Sequence, residues 1–325
     1  MAGSFYDQIA ANRRNSFLLA LSVVGLLAVL GFAIGYALTG DASGAIGAVV
    51  LAIVVGTLAS LGSYFAGDRL VLTVSGAKEV DPTSAPQLMN VVQELAIAAA
   101  IPMPKVYLIN DTAPNAFATG RDPQHASIAV TSGLLEKLDR EELQGVIGHE
   151  LSHVRNFDIR FSLIVGVLVG SIALISDFFL RWTFWTGGGR RSRDSDRGGN
   201  ALQLVAFAIA IFLAILAPIA ARLVQLAVSR QREYLADASS VDLTRNPEGL
   251  ERALAKIATD QEVLEVANRA TQHLYFTNPI RKFEERSSNL WSTHPPILDR
   301  INRLRQLQGE GPVDSAETQA LAGLD

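Results

Sequence analysis

The sequence predicts an α+β fold, mainly helical, built as an integral membrane protein with two transmembrane helical hairpins and a small β-sheet. Three observations carry that expectation. Four long apolar segments interrupt the chain; a stretch near residue 150 bears two histidines four residues apart on a helical pattern; and short runs such as KVYLI and ASIAVT, bounded by Pro and Asp, read as strands. Composition agrees, since 49% of the 325 residues are hydrophobic and only 18% are charged, an apolar balance for a chain of this length. Cysteine is absent, which removes disulfides, thiolate metal sites and a cysteine nucleophile. A net charge of -4 shows no basic excess, so nucleic acid is not an expected partner.

Residues 1–67 read as an amino-terminal hairpin, because 16–38 and 42–67 are uncharged and each exceeds the roughly 20 residues needed to cross hydrocarbon. Arg13 and Arg14 precede the first span while the loop near Asp41 has no Lys or Arg, which places the amino terminus in the cytoplasm. The first part of a soluble domain follows at 68–160. It opens with an amphipathic helix over 84–99 carrying Leu88, Val91, Val92 and Leu95, then the breaker IPMP and the strand KVYLI. NAFATG and ASIAVT flank RDPQH, so 115–131 is a β-hairpin with His125 solvated in its turn.

A second hydrophobic hairpin is expected at 161–221, with segments 161–185 and 201–221 either spanning the bilayer or packing as core helices. Its loop is a misfit, since 181–200 carries five arginines and two aspartates in a position predicted to lie outside. Either that bias is overridden or the hairpin does not fully cross. Gly31 with Gly35, and Gly166 with Gly170, are spaced for close helix packing, although membrane composition alone supplies such pairs. The second part of the soluble domain is placed at 222–308, with a helix opening at Asn246 and Pro247. The acidic, weakly apolar tail 309–325 reads as disordered.

The stretch GHELSHVRNFD, residues 148–158, is the chemical centre of the sequence. Asp139 followed by Glu142 reads as a capping box, and Leu143, Val146, Ile147 and Val154 recur at helical intervals, so a helix is expected from about 140 to 156. One helical turn then puts His149 and His153 on one face, where they can share a zinc ion, with Glu150 beside them as a base toward water. Two solvated histidines on a surface helix would give the same letters. A third ligand decides between the two.

If the second hairpin returns the chain to the same side and helix continues through 222–240, Glu233 and Asp237 of SRQREYLAD fall one turn apart on one face. Alone they are an ordinary solvated acidic pair. Opposite the histidines, Glu233 becomes the third metal ligand and Asp237 an acceptor for the free N–H of a ligating imidazole. The main chain at Asn115, Ala116, Phe117 and Ala118 is a candidate edge for an extended substrate, against the alternative of a hairpin edge facing solvent. His294, ahead of two prolines, is a candidate oxyanion donor or a structural histidine, and His273 has no partner legible in the sequence.

HELSHVRNFD, two apolar segments and then REYLAD resemble the HtpX-like membrane zinc metalloproteases, a gluzincin branch related to the CAAX prenyl-protein processing metalloproteases. SGAKEVDPTSAPQL, NAFATG, IAVTSGLLEKL and STHPP stand in the order of that family, so the resemblance runs through most of the chain. It implies a zincin-type metallopeptidase with one zinc per subunit on His149, His153 and Glu233, and with Glu150 as general base. It also implies catalysis on the cytoplasmic side of the cell membrane and proteolytic quality control of membrane or misfolded proteins. The partners are then protein or peptide substrates and the lipid bilayer. Two other readings stay open. CAAX-type processing uses, by the resemblance, a chamber enclosed by more than four spans, and an inactive membrane scaffold would not need the four site positions intact.

Overall fold

The computed structural model describes residues 5–185, 199–260, 262, 276 and 295–322. His273, His294 and the arginine-rich loop 186–198 lie outside the described residues. In chain order the elements are α1 (Phe5–Thr39), α2 (Ala42–Val74), β1 (Lys78–Glu79), α3 (Pro86–Ala98), β2 (Lys105–Ile109), β3 (Ala116–Gly120) and β4 (Ala126–Thr131). Then come α4 (Ser132–Lys137), α5 (Arg140–Arg155), α6 (Asp158–Trp185), α7 (Gly199–Thr244), α8 (Pro247–Thr259), α9 (Ile297–Gln308) and α10 (Ser315–Leu321). They form two compact units, one of residues 13–63 and 163–225, the other of 1–12, 64–162 and 226–325.

The first unit is helical. Its stretches Leu21–Thr39, Ala42–Gly62 and Leu204–Leu223, with Asp158–Thr183 of α6, are long and apolar enough to cross a bilayer. Leu27, Leu30 and Ile34 of α1 are buried with Leu168 and Ile172 of α6 and with Ala210, Ala214, Ala217 and Ala221 of α7. Those four alanines recur every three or four residues and present one smooth stripe for close packing. A Cβ on Gly35 would sit 2.6 Å from that of Ala48, so α1 and α2 meet there almost backbone to backbone. Gly170 behaves otherwise: the space around it is open, and its spacing reflects composition. Leu51, Leu58, Leu174, Phe178 and Phe212 face outward, a surface suited to hydrocarbon.

The second unit is a small mixed sheet packed among helices. Strand order is β1-β2-β4-β3. The hairpin read from the sequence is present as antiparallel β3 and β4, joined through a 3-10 turn at Pro123–His125. Sequence reading did not anticipate that β4 also pairs in parallel with β2, which leaves β3 at one edge of the sheet and β1 at the other. Helix α3 starts on Pro86 and buries Leu88, Val91, Val92 and Leu95 as its period requires.

Helix α5 has the full capping box: Glu142 N–H donates to the Asp139 carboxylate at 2.9 Å, and Asp139 N–H donates back to Glu142 Oε2 at 2.8 Å. Two glycines let other helices approach it. A Cβ on Gly145 would lie 2.7 Å from the Leu250 backbone in α8, and one on Gly148 would lie 2.7 Å from Ser240 Oγ in α7. Ser240 Oγ donates to Gly145 O at 2.7 Å and ties α7 to α5 at this level. Helix α5 stops because Phe157 adopts φ 61, a left-handed conformation costly for a bulky residue, and α6 begins at the next position.

The tail is a correction. Composition predicted disorder over 309–325, yet α10 forms within it, capped by Asp314 and Glu317 in a reciprocal box. Leu321 and Ala322 join the core beside α8, so tertiary packing supplies what weak amphipathicity lacked.

Candidate metal centre

Three side chains converge between α5 and α7. One ligand atom from each of His149, His153 and Glu233 lies within 4.8 Å of the other two. The two Nε2 atoms are 3.1 Å apart, His149 Nε2 is 3.6 Å from Glu233 Oε2, and His153 Nε2 is 3.5 Å from Glu233 Oε1. Ligands about 2.0–2.1 Å from a tetrahedral zinc are separated from one another by about 3.3 Å, so these spacings suit one such ion.

The outer nitrogens make the case sharper. His149 Nδ1 is 2.8 Å from Asp237 Oδ1, and His153 Nδ1 is 3.1 Å from Asp158 Oδ2. Each carboxylate takes the Nδ1 hydrogen, so both Nε2 atoms turn bare lone pairs toward each other across 3.1 Å. That arrangement needs a cation between the rings, either a metal or an added proton. Burial works against charge on the His153 ring, but hydrogen bonds to Asp158 and Glu233 outweigh it and hold that ring well above the ordinary histidine range.

Arg300 is the largest fully buried side chain among the described residues and closes the back of the site. Its Nη2 and Nε donate to the two oxygens of Asp237 at 2.7 and 2.9 Å, and its Nη1 lies 3.8 Å from Glu233 Oε2. Burial alone would raise the Asp237 pKa; Arg300 and His149 reverse this and keep the carboxyl below its usual value. On the other flank Arg232 is 3.3 Å from Asp158 and stacks over the Phe161 ring at 3.6 Å.

Glu150 is buried beside the triad. Desolvation pushes its pKa up; the His149 and His153 rings pull it down, Glu233 adds to the rise, and a hydrogen bond with the Ala118 backbone lowers it. Thus β3, which carries Ala116, Phe117 and Ala118 just after Asn115, lies against the site, and all four residues are buried. Of the other histidines, His125 sits in its turn with Nδ1 2.7 Å from Asp122 Oδ1, half-exposed, away from the triad's partners.

Sequence reasoning missed Asp158, Arg232, Arg300 and Phe276. Asp158 stood within the quoted HVRNFD, but only the reversal at Phe157 turns it back onto His153. Arg300 left a usable signal: it lies on the stripe Ile297, Ile301, Leu304 of α9, and an arginine on an apolar stripe must find a buried partner.

Residues 82–308 match Peptidase family M48. A protease HtpX homolog from Streptococcus uberis is 46% identical over 302 residues, covering 93% of this chain and 99% of that protein. One from Streptococcus gordonii is 46% identical over 304 residues, with the same shares covered. The crystal structure of S. mikatae Ste24p aligns with a TM-score of 0.47 and 18% identity, over 92% of this chain and 67% of that one.

Proposed function

This chain belongs to peptidase family M48 and is a membrane protease, and from that premise we propose that it is a zinc endopeptidase of the cell membrane, cutting membrane or misfolded proteins on the cytoplasmic side. One observation carries the metal assignment: three ligand atoms lie within reach of one cation, with both imidazole Nδ1 atoms already committed to carboxylates. His149, His153 and Glu233 would hold the ion. Zinc bound there would polarise the scissile carbonyl and lower the pKa of water toward about 7.

The chain's own residues do the rest. Glu150, desolvated so that it is a stronger base than a free glutamate, takes the proton of the attacking water and delivers it to the leaving amine. Asp237 and Asp158 set the tautomer and aim of the two imidazoles, and Arg300 keeps Asp237 ionised in a buried place. The outer edge of β3 lays an extended substrate beside Glu150.

Metal removal tests the reading. Protein purified in detergent should carry about one zinc per chain, lose cleavage of an unfolded protein on chelation, and regain it with added zinc. Cleavage indifferent to chelation would sink it.

Orientation has its own test, because a chain without cysteine accepts single reporter thiols. Cysteines at positions 41 and 195 should react with an impermeant reagent from outside the cell, and one at 310 only after the membrane is opened. Exclusive inside labelling at 195 would show that the second hairpin does not cross, in keeping with its arginines.

A further inference from the structure

The outer edge of β3 is already partly matched. Thr131 N–H donates to Asn115 O, so antiparallel alternation turns Asn115, Phe117 and Thr119 toward β4 and leaves Ala116, Ala118 and Gly120 pointing outward. Ala116 N–H donates to Asn115 Oδ1 at 3.0 Å, and the Ala118 backbone bonds Glu150. Ala116 O accepts from Phe276 N–H at 2.7 Å.

Phe276 is remote in sequence and is not part of the sheet. Its carbonyl accepts from Arg300 Nη1 at 3.2 Å. Its ring is 1% exposed, stands edge-on to the His149 imidazole with centroids 4.9 Å apart, and has the Arg300 guanidinium 4.6 Å from its centre. One residue thus places its N–H, its C=O and its side chain within the site, and the N–H is held by the strand assigned above to substrate.

We propose that Phe276 is an internal stand-in for one substrate residue, holding the place on β3 beside His149 where an extended peptide lays a bulky apolar side chain, and that it must leave before the peptide binds. The proposal rests on the endopeptidase reading of the site. It makes two statements about substrate: the residue entering this place is large and apolar, and it keeps its main-chain N–H for Ala116 O. It also makes one about regulation. Only molecules with Phe276 withdrawn are competent, so the apparent affinity for peptide is reduced by the fraction that is withdrawn.

The test uses the full-length, zinc-loaded protein and one cleavable peptide in three forms, bearing Phe, Ala or N-methyl-Phe at the residue found to govern binding. With Phe276→Ala, zinc content should stay near one per chain and KM for the Phe peptide should fall about fivefold or more, with a smaller change in kcat. On the parent chain, the Ala and N-methyl-Phe peptides should each bind about tenfold or more weakly than the Phe peptide, since one lacks the side chain and the other the donor. Unchanged or higher KM in Phe276→Ala, or loss of zinc from it, makes Phe276 a structural prop for His149 and overturns the proposal. Equal binding of the three peptides to the parent overturns it too, whether or not the variant folds. Parent protein that shows no zinc-dependent cleavage defeats instead the reading on which the proposal stands.

Discussion

Glu150→Gln should stop peptide hydrolysis while the protein keeps its metal. The amide has the shape of the carboxylate and can still accept from the Ala118 backbone, but it cannot take up a proton. General-base catalysis contributes about 10²–10⁴-fold, so turnover should fall by at least about a hundredfold. Metal content and initial rate, measured on one preparation, should separate cleanly. An undiminished rate would remove Glu150 from the proton transfer.

Glu233→Ala should lose metal and activity together. It removes the carboxylate that approaches both Nε2 atoms at 3.5 and 3.6 Å and leaves two imidazoles, too few for a tetrahedral protein site. Outer partners of a ligand typically contribute about 10–100-fold in affinity, so losing a ligand itself should exceed that. It also leaves Arg300, buried 3.8 Å away, with one carboxylate fewer to answer its charge. Equilibrium dialysis against a zinc buffer measures the loss, and full occupancy would exclude Glu233 from the centre.

The contrast between these variants follows what the sequence made legible. Helix α5, its capping box and the pairing of His149 with His153 depend on residues within one or two turns, where spacing is decisive. Glu233 was reachable because a hydrophobic hairpin must return, and because a helix running on through α7 carries Asp237 to the same face. The parallel pairing of β2 with β4 was not, since nothing local in KVYLI selects its neighbour. Asp158 required a phenylalanine in the left-handed region, which no propensity anticipates. Phe276 and Arg300 touch the site from far along the chain, and α10 gains its order only by docking. Spacing within a helix gave the two histidines and linked Asp237 to Glu233; Asp158, Arg300 and Phe276 reach the site only through tertiary structure.

The division of the centre between α5 and α7 has a consequence for biosynthesis. His149, Glu150 and His153 are translated before α6, whereas Glu233 follows on the far part of α7. A chain still on the ribosome can hold the first helix folded, yet it owns two imidazoles and no third ligand. An ion gripping both helices would close the whole loop between them, so its binding would be bound up with folding of the finished chain. The nascent polypeptide is thus a silent precursor: the third ligand, a carboxylate, comes only with α7, and Arg300, which holds Asp237, comes later still on α9.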